Sequence, residues 1–413
     1  MFSVKELFKI GHGPSSSHTI GPTRAAKYIL AKYESKGIKF IKVTLYCSFA
    51  LTYKGHLLDK AVHEVFAKYQ HEIVPDFKTI TPHPNTMDVD VYGENKKLIA
   101  HKRFVSIGGG TICIAGEPPL KNYYPYDNFE QMKKIIKNKK ITPFQFLCMH
   151  EDKNELIKLY DEMIHAFETT IKSGLKSSGK MPGIVAFDRR AKKIYDSINK
   201  TDSEFVKRVK TVSAYAMATN EEAVIYGLVV TAPTCGSAGT LPAVYKWAIN
   251  KFHPTKQKLY EAFSAAALVG ITIKQNGSVA GATGGCQAEI GVATALAAAM
   301  YSVLAYDANI DEIEMAAETA LQQLLGMSCD AVGGCAYVPC IQRNAIYAMK
   351  AIDSAELAHM LKNNTELINL DIVISIAFQS GNDLKTAYKE TGIGGLAKNC
   401  KYTLKYRTKV TND

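Results

Sequence analysis

Three cysteines lie in segments that join glycine to small apolar residues, a setting that suits chemistry at sulfur. Cys286 ends the run GATGGC, Cys329 follows 43 residues later, and Cys340 comes 11 residues after that. Thiolates bind soft metals, and glycine lets the backbone approach an inorganic group closely. The spacings match neither zinc fingers nor ferredoxins. From the residues alone two interpretations stay open: free cysteines that fill a core, or three ligands of an iron–sulfur cluster.

A segment rich in hydroxyl groups precedes a helical run near the N-terminus. The sequence GHGPSSSHTIGPTRAA, residues 11–26, offers serine, histidine and threonine side chains at the start of a helix. Such a loop can hold a carboxylate or a phosphate, whereas a simple helix cap needs only one of these residues. We therefore predict an anion site, and its substrate-binding candidates are Ser15, Ser16, Ser17, His18 and Thr19.

Other loops carry further candidates. LTYKGH places Lys54 and His56 between a predicted strand and a predicted helix, where α/β proteins often collect functional groups. From spacing alone, the pattern around His56 favours an ordinary surface histidine. VSIGGGTI closes a strand with three glycines, and the QNGS turn with Asn276 interrupts a helical sequence. Lys54 and Asn276 are predicted to bind substrate.

The elements that must position these groups change character along the chain. Over residues 1–125, β-type runs such as TMDVDVYG alternate with helical runs such as GHLLDKAVHEVFAKY, which predicts an α/β domain. Residues 126–150 follow a loop rich in glycine and proline and are predicted to be a linker. Residues 151–413 carry long runs of helical periodicity and predict an all-α domain. The expected fold class is α+β.

Composition narrows the class of protein. The chain has 413 residues, of which 47% are hydrophobic and 22% charged, as in ordinary folded proteins. Its net charge of +11 comes mainly from scattered lysines, and we expect no nucleic-acid partner. The alanine-rich run near 290–306 favours a buried helix, so we expect no membrane role. An odd number of cysteines and an N-terminus without a signal sequence predict a cytoplasmic location.

Seven motifs follow one another along the chain. In order they are GPSSSHTIGP, LTYKGH, SIGGG, TAPTCGSAGTLPAV, SVAGATGGCQAEIG, CDAVGGCAYVPCIQRNA and YKETGIGGLA. The chain closely resembles the bacterial iron–sulfur L-serine dehydratases, in the single-chain form that fuses a beta-type and an alpha-type half. The resemblance runs from residue 1 to about residue 400. It implies an α/β domain followed by a helical domain, a [4Fe–4S] cluster between them, and no pyridoxal phosphate.

The resemblance also implies roles for particular residues. The family's three cluster cysteines match Cys286, Cys329 and Cys340, and its serine-rich substrate loop matches the candidates around His18. The histidine of its KGH motif matches His56, which implies an acid–base role. Cys400 is the candidate fourth ligand, although it lies nearer to the GGLA motif than the cysteine that often ends these enzymes. We also expect a homodimer.

The implied enzyme is an L-serine ammonia-lyase, which converts L-serine to pyruvate and ammonia in amino-acid catabolism and gluconeogenesis. An open iron would stabilise the departing hydroxide, and the serine-rich loop would orient the substrate through its carboxylate. His56 is our first choice for the base that removes the α-proton. His18 would hold the carboxylate or serve as the alternative base.

Three alternatives were weighed against this function. A pyridoxal-phosphate dehydratase would need a Schiff-base lysine and an SGNH-type substrate loop, and the sequence carries neither. A non-catalytic serine-binding sensor would have no use for three cluster cysteines. The same chemistry on L-threonine or L-cysteine remains open.

Overall fold

The molecule combines a small sheet region near the N-terminus with a mostly helical remainder, which confirms the predicted α+β class. The computed structural model describes residues 1–118, 120–181, 187–329, 332, 337–364, 367–389 and 394–400. The strands are β1 (Ile10–His12), β2 (Phe40–Tyr46), β3 (Gln70–Asp76), β4 (Thr86–Tyr92), β5 (Leu98–Ser106), β6 (Ile112–Ile114) and β7 (Leu228–Val230).

The longest helices all lie after residue 150, and short helices occur throughout the chain. Those before residue 70 are α1 (Val4–Leu7), α2 (Gly21–Tyr33), α3 (Cys47–Thr52) and α4 (Leu58–Val65). Those after it are α5 (Phe129–Lys139), α6 (Pro143–Cys148), α7 (Lys153–Lys176), α8 (Ala191–Asp196), α9 (Glu204–Ala223), α10 (Thr240–Phe252), α11 (Lys256–Asn276), α12 (Gly281–Gly284), α13 (Ile290–Tyr306), α14 (Ile310–Gln322), α15 (Cys340–Met360), α16 (Leu370–Asp383) and α17 (Gly395–Lys398).

Five strands form one sheet in the order β3-β2-β4-β5-β6, in which only the β2–β3 pair is parallel. Strand β2 alternates buried and half-buried positions, so Ile41, Val43 and Leu45 share one face. That face belongs to one core with Ile29 of α2 and Val62 of α4. Strand β2 ends at Tyr46, well before the LTYKGH motif, because the next residue, Cys47, adopts a left-handed conformation and starts α3.

Helix α13 lies at the centre of the helical region. Its residues from Ile290 to Leu304 are buried, and it contacts α10, α11, α14 and α15. Because alanines dominate this helix, neighbouring helices can approach it on all sides. Among the described residues no single helix is long and apolar enough to cross a membrane. The bent pair Gly281–Ala288 and Ile290–Tyr306 meets that test by length and composition only.

The first residues of the chain pack with the helical region. Met1, Leu7 and Phe8 are buried in the same core as α13, and β1 pairs with β7. The predicted linker, residues 126–150, contains α5 and α6, whose apolar side chains are also buried in that core. Hydrophobic burial therefore orders both segments. The chain enters the α/β region through the loop after β1, which places the serine-rich segment where the two regions meet.

Candidate active site

The serine-rich loop forms a single π-helical turn, Ser16–Ile20, between β1 and α2. The Ser15 hydroxyl caps this turn by accepting from the backbone N–H of His18 at 3.2 Å. The Thr19 hydroxyl donates to the carbonyl of His12 at 2.7 Å, and this hydrogen bond joins the turn to the end of β1. A Cβ atom at Gly13 would lie 2.1 Å from the carbonyl oxygen of Ala223, and only glycine permits this approach to the end of α9.

Two histidines meet beside this loop. The rings of His18 and His56 are stacked with centroids 4.6 Å apart. Burial and the neighbouring His56 hold the pKa of His18 well below its usual value, and burial lowers the pKa of His56. Both imidazoles are therefore neutral near pH 7. The turn that holds His56 follows α3, and its Nδ1 atom is buried without a hydrogen-bond partner among the described residues.

The nitrogens of His18 are already engaged. Its Nδ1 lies 2.8 Å from the Ser17 hydroxyl and its Nε2 lies 3.3 Å from the Ser48 hydroxyl. The ring of Phe49 contacts the same imidazole edge-on, with centroids 4.9 Å apart. These contacts fix the orientation of His18, whereas no such contact holds Nδ1 of His56 among the described residues. Ser48 and Phe49 were not predicted, because they belong to the run that was assigned to a strand.

The remaining predicted binding residues lie in different surroundings. Ser16 is buried in the π-helical turn. Lys54 is exposed, and its ammonium lies over the ring of Tyr53 at 5.7 Å. Asn276 ends α11, is exposed, and donates to the carbonyl of Asp127 at 2.6 Å. The structure therefore brings Ser15, Ser17, His18 and His56 together, whereas Lys54 and Asn276 are exposed.

The glycine run after β5 connects three of the motifs. Gly108, Gly109 and Gly110 all have positive φ values, of 105°, 56° and 75°, which residues with a Cβ rarely adopt. A Cβ at Gly109 would lie 3.2 Å from the carbonyl of Pro233, and one at Gly110 would lie 2.8 Å from Cγ2 of Ile20. The loop touches both the serine-rich turn and the TAPTCGS segment, which explains why three successive glycines are needed.

A buried group of charges supports this glycine loop from behind. The ammonium groups of Lys9 and Lys274 both donate to the Thr111 hydroxyl, at 2.9 and 2.7 Å. Arg24 donates to the carboxylate of Glu6 at 2.7 Å and to the carbonyl of the last glycine at 3.0 Å. Burial lowers the pKa of Lys274 to about 8. Residues of α1, α2 and α11 are thus joined at one point.

The structure brings Cys286, Cys329 and Cys340 together. They come from the turn after α12, the segment after α14 and the first residue of α15, and all three are buried. Cys286 is in hydrogen-bond contact with both other thiols. Those contacts and the guanidinium of Arg343 hold the pKa of Cys286 well below its usual value. The same contact and burial raise the pKa of Cys340.

Two further residues of this centre, Glu289 and Arg343, were not singled out from the sequence. A carboxylate oxygen of Glu289 and the sulfurs of Cys286 and Cys329 all lie within 4.8 Å of one another. Arg343 donates to the carbonyl of Ser328 at 2.7 Å and approaches Cys286. These residues lie inside the quoted motifs GGCQAEIG and PCIQRNA, so motif membership was the available signal.

Asn344 joins the cysteine centre to the TAPTCGSAGT loop. This fully buried side chain accepts from the backbone N–H of Gly239 at 3.0 Å and from the Thr240 hydroxyl at 2.9 Å. Its amide donates to the carbonyls of Gly236 at 2.8 Å and Cys340 at 2.9 Å. The first turn of α15, which begins with a candidate ligand, is therefore tied to that loop.

The TAPTCGSAGT loop also links the two clusters of functional side chains. Ile20 of the serine-rich turn shares a buried apolar cluster with Cys235 and Ala238. On the other side, a Cβ at Gly236 would lie 3.4 Å from Oε1 of Glu289. Cys400 is half-buried just beyond α17, and its backbone N–H donates to Ala397 at 3.3 Å.

The donor set suits a metal group that binds thiolates. Three buried sulfurs from three segments converge, and one of them is already biased toward the thiolate form. The guanidinium of Arg343 would offset part of their negative charge. The residues present therefore fit an iron–sulfur cluster with three protein thiolates, although a zinc ion would accept the same donors.

Fold and site together define a two-region α+β enzyme in which a histidine pair and a serine-rich loop adjoin a three-cysteine centre. The family model of the serine dehydratase beta chain matches residues 3–75, and that of the serine dehydratase alpha chain matches residues 68–397. The chain belongs to the serine dehydratase family, and it carries both chain types in one polypeptide. This confirms the family predicted from the motifs.

Curated bacterial relatives align with nearly the whole chain. The L-serine dehydratase of Helicobacter pylori is 31% identical over 97% of this chain and 99% of its own length. That of Haemophilus influenzae is 30% identical, with 96% and 99% coverage. L-serine dehydratase 2 of Escherichia coli is 31% identical, with 96% and 98% coverage.

Proposed function

We propose that this serine dehydratase converts L-serine to pyruvate and ammonia, with a [4Fe–4S] cluster held by Cys286, Cys329 and Cys340. The observation that carries the proposal is the convergence of three buried cysteine sulfurs next to the loop that packs against the serine-rich turn. When bound, such a cluster supplies a Lewis-acidic iron that stabilises hydroxide as it leaves the β-carbon of the substrate.

The serine-rich turn is suited to hold the substrate carboxylate. Ser15 and Ser17 present hydroxyls 3.2 Å apart at the start of the π-helical turn that leads into α2, where backbone N–H groups also favour an anion. His18 is held by Ser17 and Ser48, so its ring stays in place next to His56. Fixing the carboxylate in this way orients the α-carbon and its proton toward the histidine pair.

His56 is the proposed base. Burial lowers its pKa, so the ring is neutral, and its Nδ1 is buried without a hydrogen-bond partner among the described residues. A substrate that displaces the groups covering this atom would meet a nitrogen able to accept the α-proton. Both nitrogens of His18 lie within hydrogen-bond reach of serine hydroxyls, which favours a binding role for that residue. Loss of the proton and of hydroxide gives 2-aminoacrylate, which tautomerises to an imine and hydrolyses to pyruvate and ammonia.

The proposal extends to substrate choice, location and assembly. We propose L-serine as the substrate on the basis of the curated relatives, which bear the name L-serine dehydratase. L-threonine and L-cysteine are the competing substrates to be assayed. The proposed location is the cytoplasm, where thiolates stay reduced. The proposed assembly is a homodimer.

The test is anaerobic purification followed by metal, sulfide and product analysis. The wild-type protein should contain iron and acid-labile sulfide and should release equal amounts of pyruvate and ammonia from L-serine. Cys340→Ser should lose iron and activity together, whereas the control Cys148→Ser, a half-buried cysteine of α6, should keep both. Zinc in place of iron, activity without iron, or serine binding without pyruvate release would refute the proposal.

A further inference from the structure

Tyr226 has a backbone conformation that its own side chain makes costly. The residue lies in the turn between α9 and β7, and its φ of 74° falls in the left-handed region that residues with a Cβ rarely adopt. Glycine adopts this conformation without strain. A bulky residue at such a position indicates that its side chain makes contacts which offset the strain.

The side chain of Tyr226 joins the helical region to α4. Its hydroxyl donates to Oε2 of Glu64 at 2.7 Å, and the ammonium of Lys60 lies 4.2 Å from the centre of its ring. Lys60 and Glu64 are four residues apart and therefore lie on one face of α4. Helix α4 begins two residues after His56. The tyrosine thus contacts the helix that follows the proposed base.

Tyr226 also contacts the entrance of the serine-rich loop. His12, the last residue of β1, donates from Nδ1 to the carbonyl of Tyr226 at 2.9 Å, and the two rings are stacked with centroids 4.8 Å apart. The next residue, Gly13, donates its N–H to the carbonyl of Gly227 at 3.1 Å. Both segments that carry the histidine pair therefore meet the helical region at this one turn.

We propose that Tyr226 is a positioning residue, a clamp that holds α4 and the serine-rich loop against the helical region. The inference rests on the proposed function, in which the two regions act on different parts of one substrate. The serine-rich turn would hold the carboxylate, and the hydroxide would leave on the side of the cysteine centre. Tyr226 is connected to that side because β7 leads into the TAPTCGSAGT loop, whose Gly236 approaches Glu289.

The contacts of the clamp suit alignment more than stability. Lys60 and Glu64 are exposed, and exposed charged contacts contribute little to the free energy of unfolding. They do fix the direction in which α4 meets the turn after α9. Their loss is therefore expected to change the relative placement of the two regions while the fold persists.

The main test is Tyr226→Gly, because this variant removes the clamp and the backbone strain together. Its free energy of unfolding and its iron and sulfide content should stay close to those of the wild type. Its kcat/KM for L-serine should fall about 10- to 100-fold, with kcat and KM both changed, because the substrate is no longer aligned between the regions. Tyr226→Phe keeps the ring contacts and should lose only about 2- to 10-fold.

The matched control is Tyr69→Phe. The Tyr69 hydroxyl donates to Oε1 of Glu34, also at 2.7 Å, but both residues belong to the α/β region. This variant loses the same kind of hydrogen bond without loosening the contact between the regions. Its kcat/KM should equal that of the wild type.

Hydrogen exchange gives a measurement that does not depend on activity. Backbone amides of α4 and of the turn Ser16–Ile20 should exchange several-fold faster in Tyr226→Gly than in the wild type, and at the wild-type rate in Tyr69→Phe. Unchanged exchange or an unchanged kcat/KM in Tyr226→Gly overturns the proposal. A loss of iron or of unfolding free energy in proportion to activity also overturns it, because Tyr226 would then be purely structural.

A double-mutant cycle replaces the main test if Tyr226→Gly does not fold. Tyr226→Phe and Glu64→Ala remove the two sides of one hydrogen bond, so their effects on kcat/KM should not add in the double variant. Additive effects would contradict a clamp that acts through Glu64. A wild-type chain without iron or without pyruvate formation would instead refute the proposed function, and the hydrogen-exchange comparison would still test the clamp.

Discussion

His18 and His56 illustrate how two identical side chains acquire different roles. Their rings are in contact and both are neutral, yet both His18 nitrogens lie near serine hydroxyls while Nδ1 of His56 has no partner among the described residues. A base must present a free lone pair to the proton that it removes. The hydrogen-bond environment, rather than the residue type, therefore distinguishes the two.

Replacement of His56 by alanine should lower kcat for L-serine by about 100-fold or more, because the α-proton loses its acceptor. The iron content should not change, since His56 belongs to the α/β region and not to the cysteine centre. Pyruvate formation measures the effect. The control is His63→Ala in α4, which should keep normal turnover, and a fully active His56→Ala would assign the base to another residue.

Asn344 is the second residue whose replacement has a defined expected effect, here on the free energy of unfolding. Asn344→Ala should remove four buried side-chain hydrogen bonds, which costs roughly 3 kcal/mol of unfolding free energy. Urea unfolding measures this loss, and iron retention should fall because the first turn of α15 loosens. Asn154→Ala on the exposed start of α7 is the control and should be nearly neutral. Equal stability of the two variants would contradict the bracing role of Asn344.

At the level of elements, the glycine loop after β5 positions the serine-rich turn. It holds three successive residues with positive φ and contacts Ile20 directly. Strand periodicity predicted where β5 ends, and the motif showed three glycines. Only the folded chain shows that the loop packs against the TAPTCGS segment as well.

Gly110→Ala tests this loop against a matched control. Gly116 has a nearly identical φ of 77°, but no atom lies within 4 Å of the position of its Cβ. Both alanine variants should lose about 1–2 kcal/mol of stability from the left-handed backbone. Only Gly110→Ala should also lower kcat/KM for L-serine, by about 10- to 100-fold, because its methyl group displaces Ile20 and the substrate loop. Steady-state kinetics and unfolding curves of both variants measure the two effects. Equal kcat/KM values for the two variants would show that the contact between Gly110 and Ile20 does not affect catalysis.

At the level of the whole molecule, the buried charges of Glu6, Lys9, Arg24 and Lys274 join the two regions. Lys274 comes from α11, Arg24 from α2, and the other two from the N-terminal segment. A lysine with a lowered pKa is a source of pH-dependent stability, because folding disfavours its charged form. The direction follows from its two pKa values, about 8 in the folded chain and 10.5 as the ordinary value.

Between these pH values the unfolded chain binds more protons than the folded one, so stability should rise with pH. Lys274 should contribute up to about 1.4 kcal/mol per pH unit in this window and nothing to the slope well below pH 8. In Lys274→Met this part of the slope should disappear. Anaerobic urea unfolding of both proteins at pH 7.5, 8.5 and 9.5 gives the comparison. Parallel curves would show that Lys274 is not the titrating group.

Motifs and periodicity in the sequence predicted the family and the α+β class and singled out the glycine-flanked cysteines as candidate ligands, because both are local properties. The tertiary structure decided the rest, since it depends on residues far apart in the chain. Asn344 meets Gly239 across 105 positions, Lys9 meets Thr111 across 102, and Glu289 joins sulfurs from two segments. Spacing along the chain carries no record of such contacts, so only the folded chain shows them.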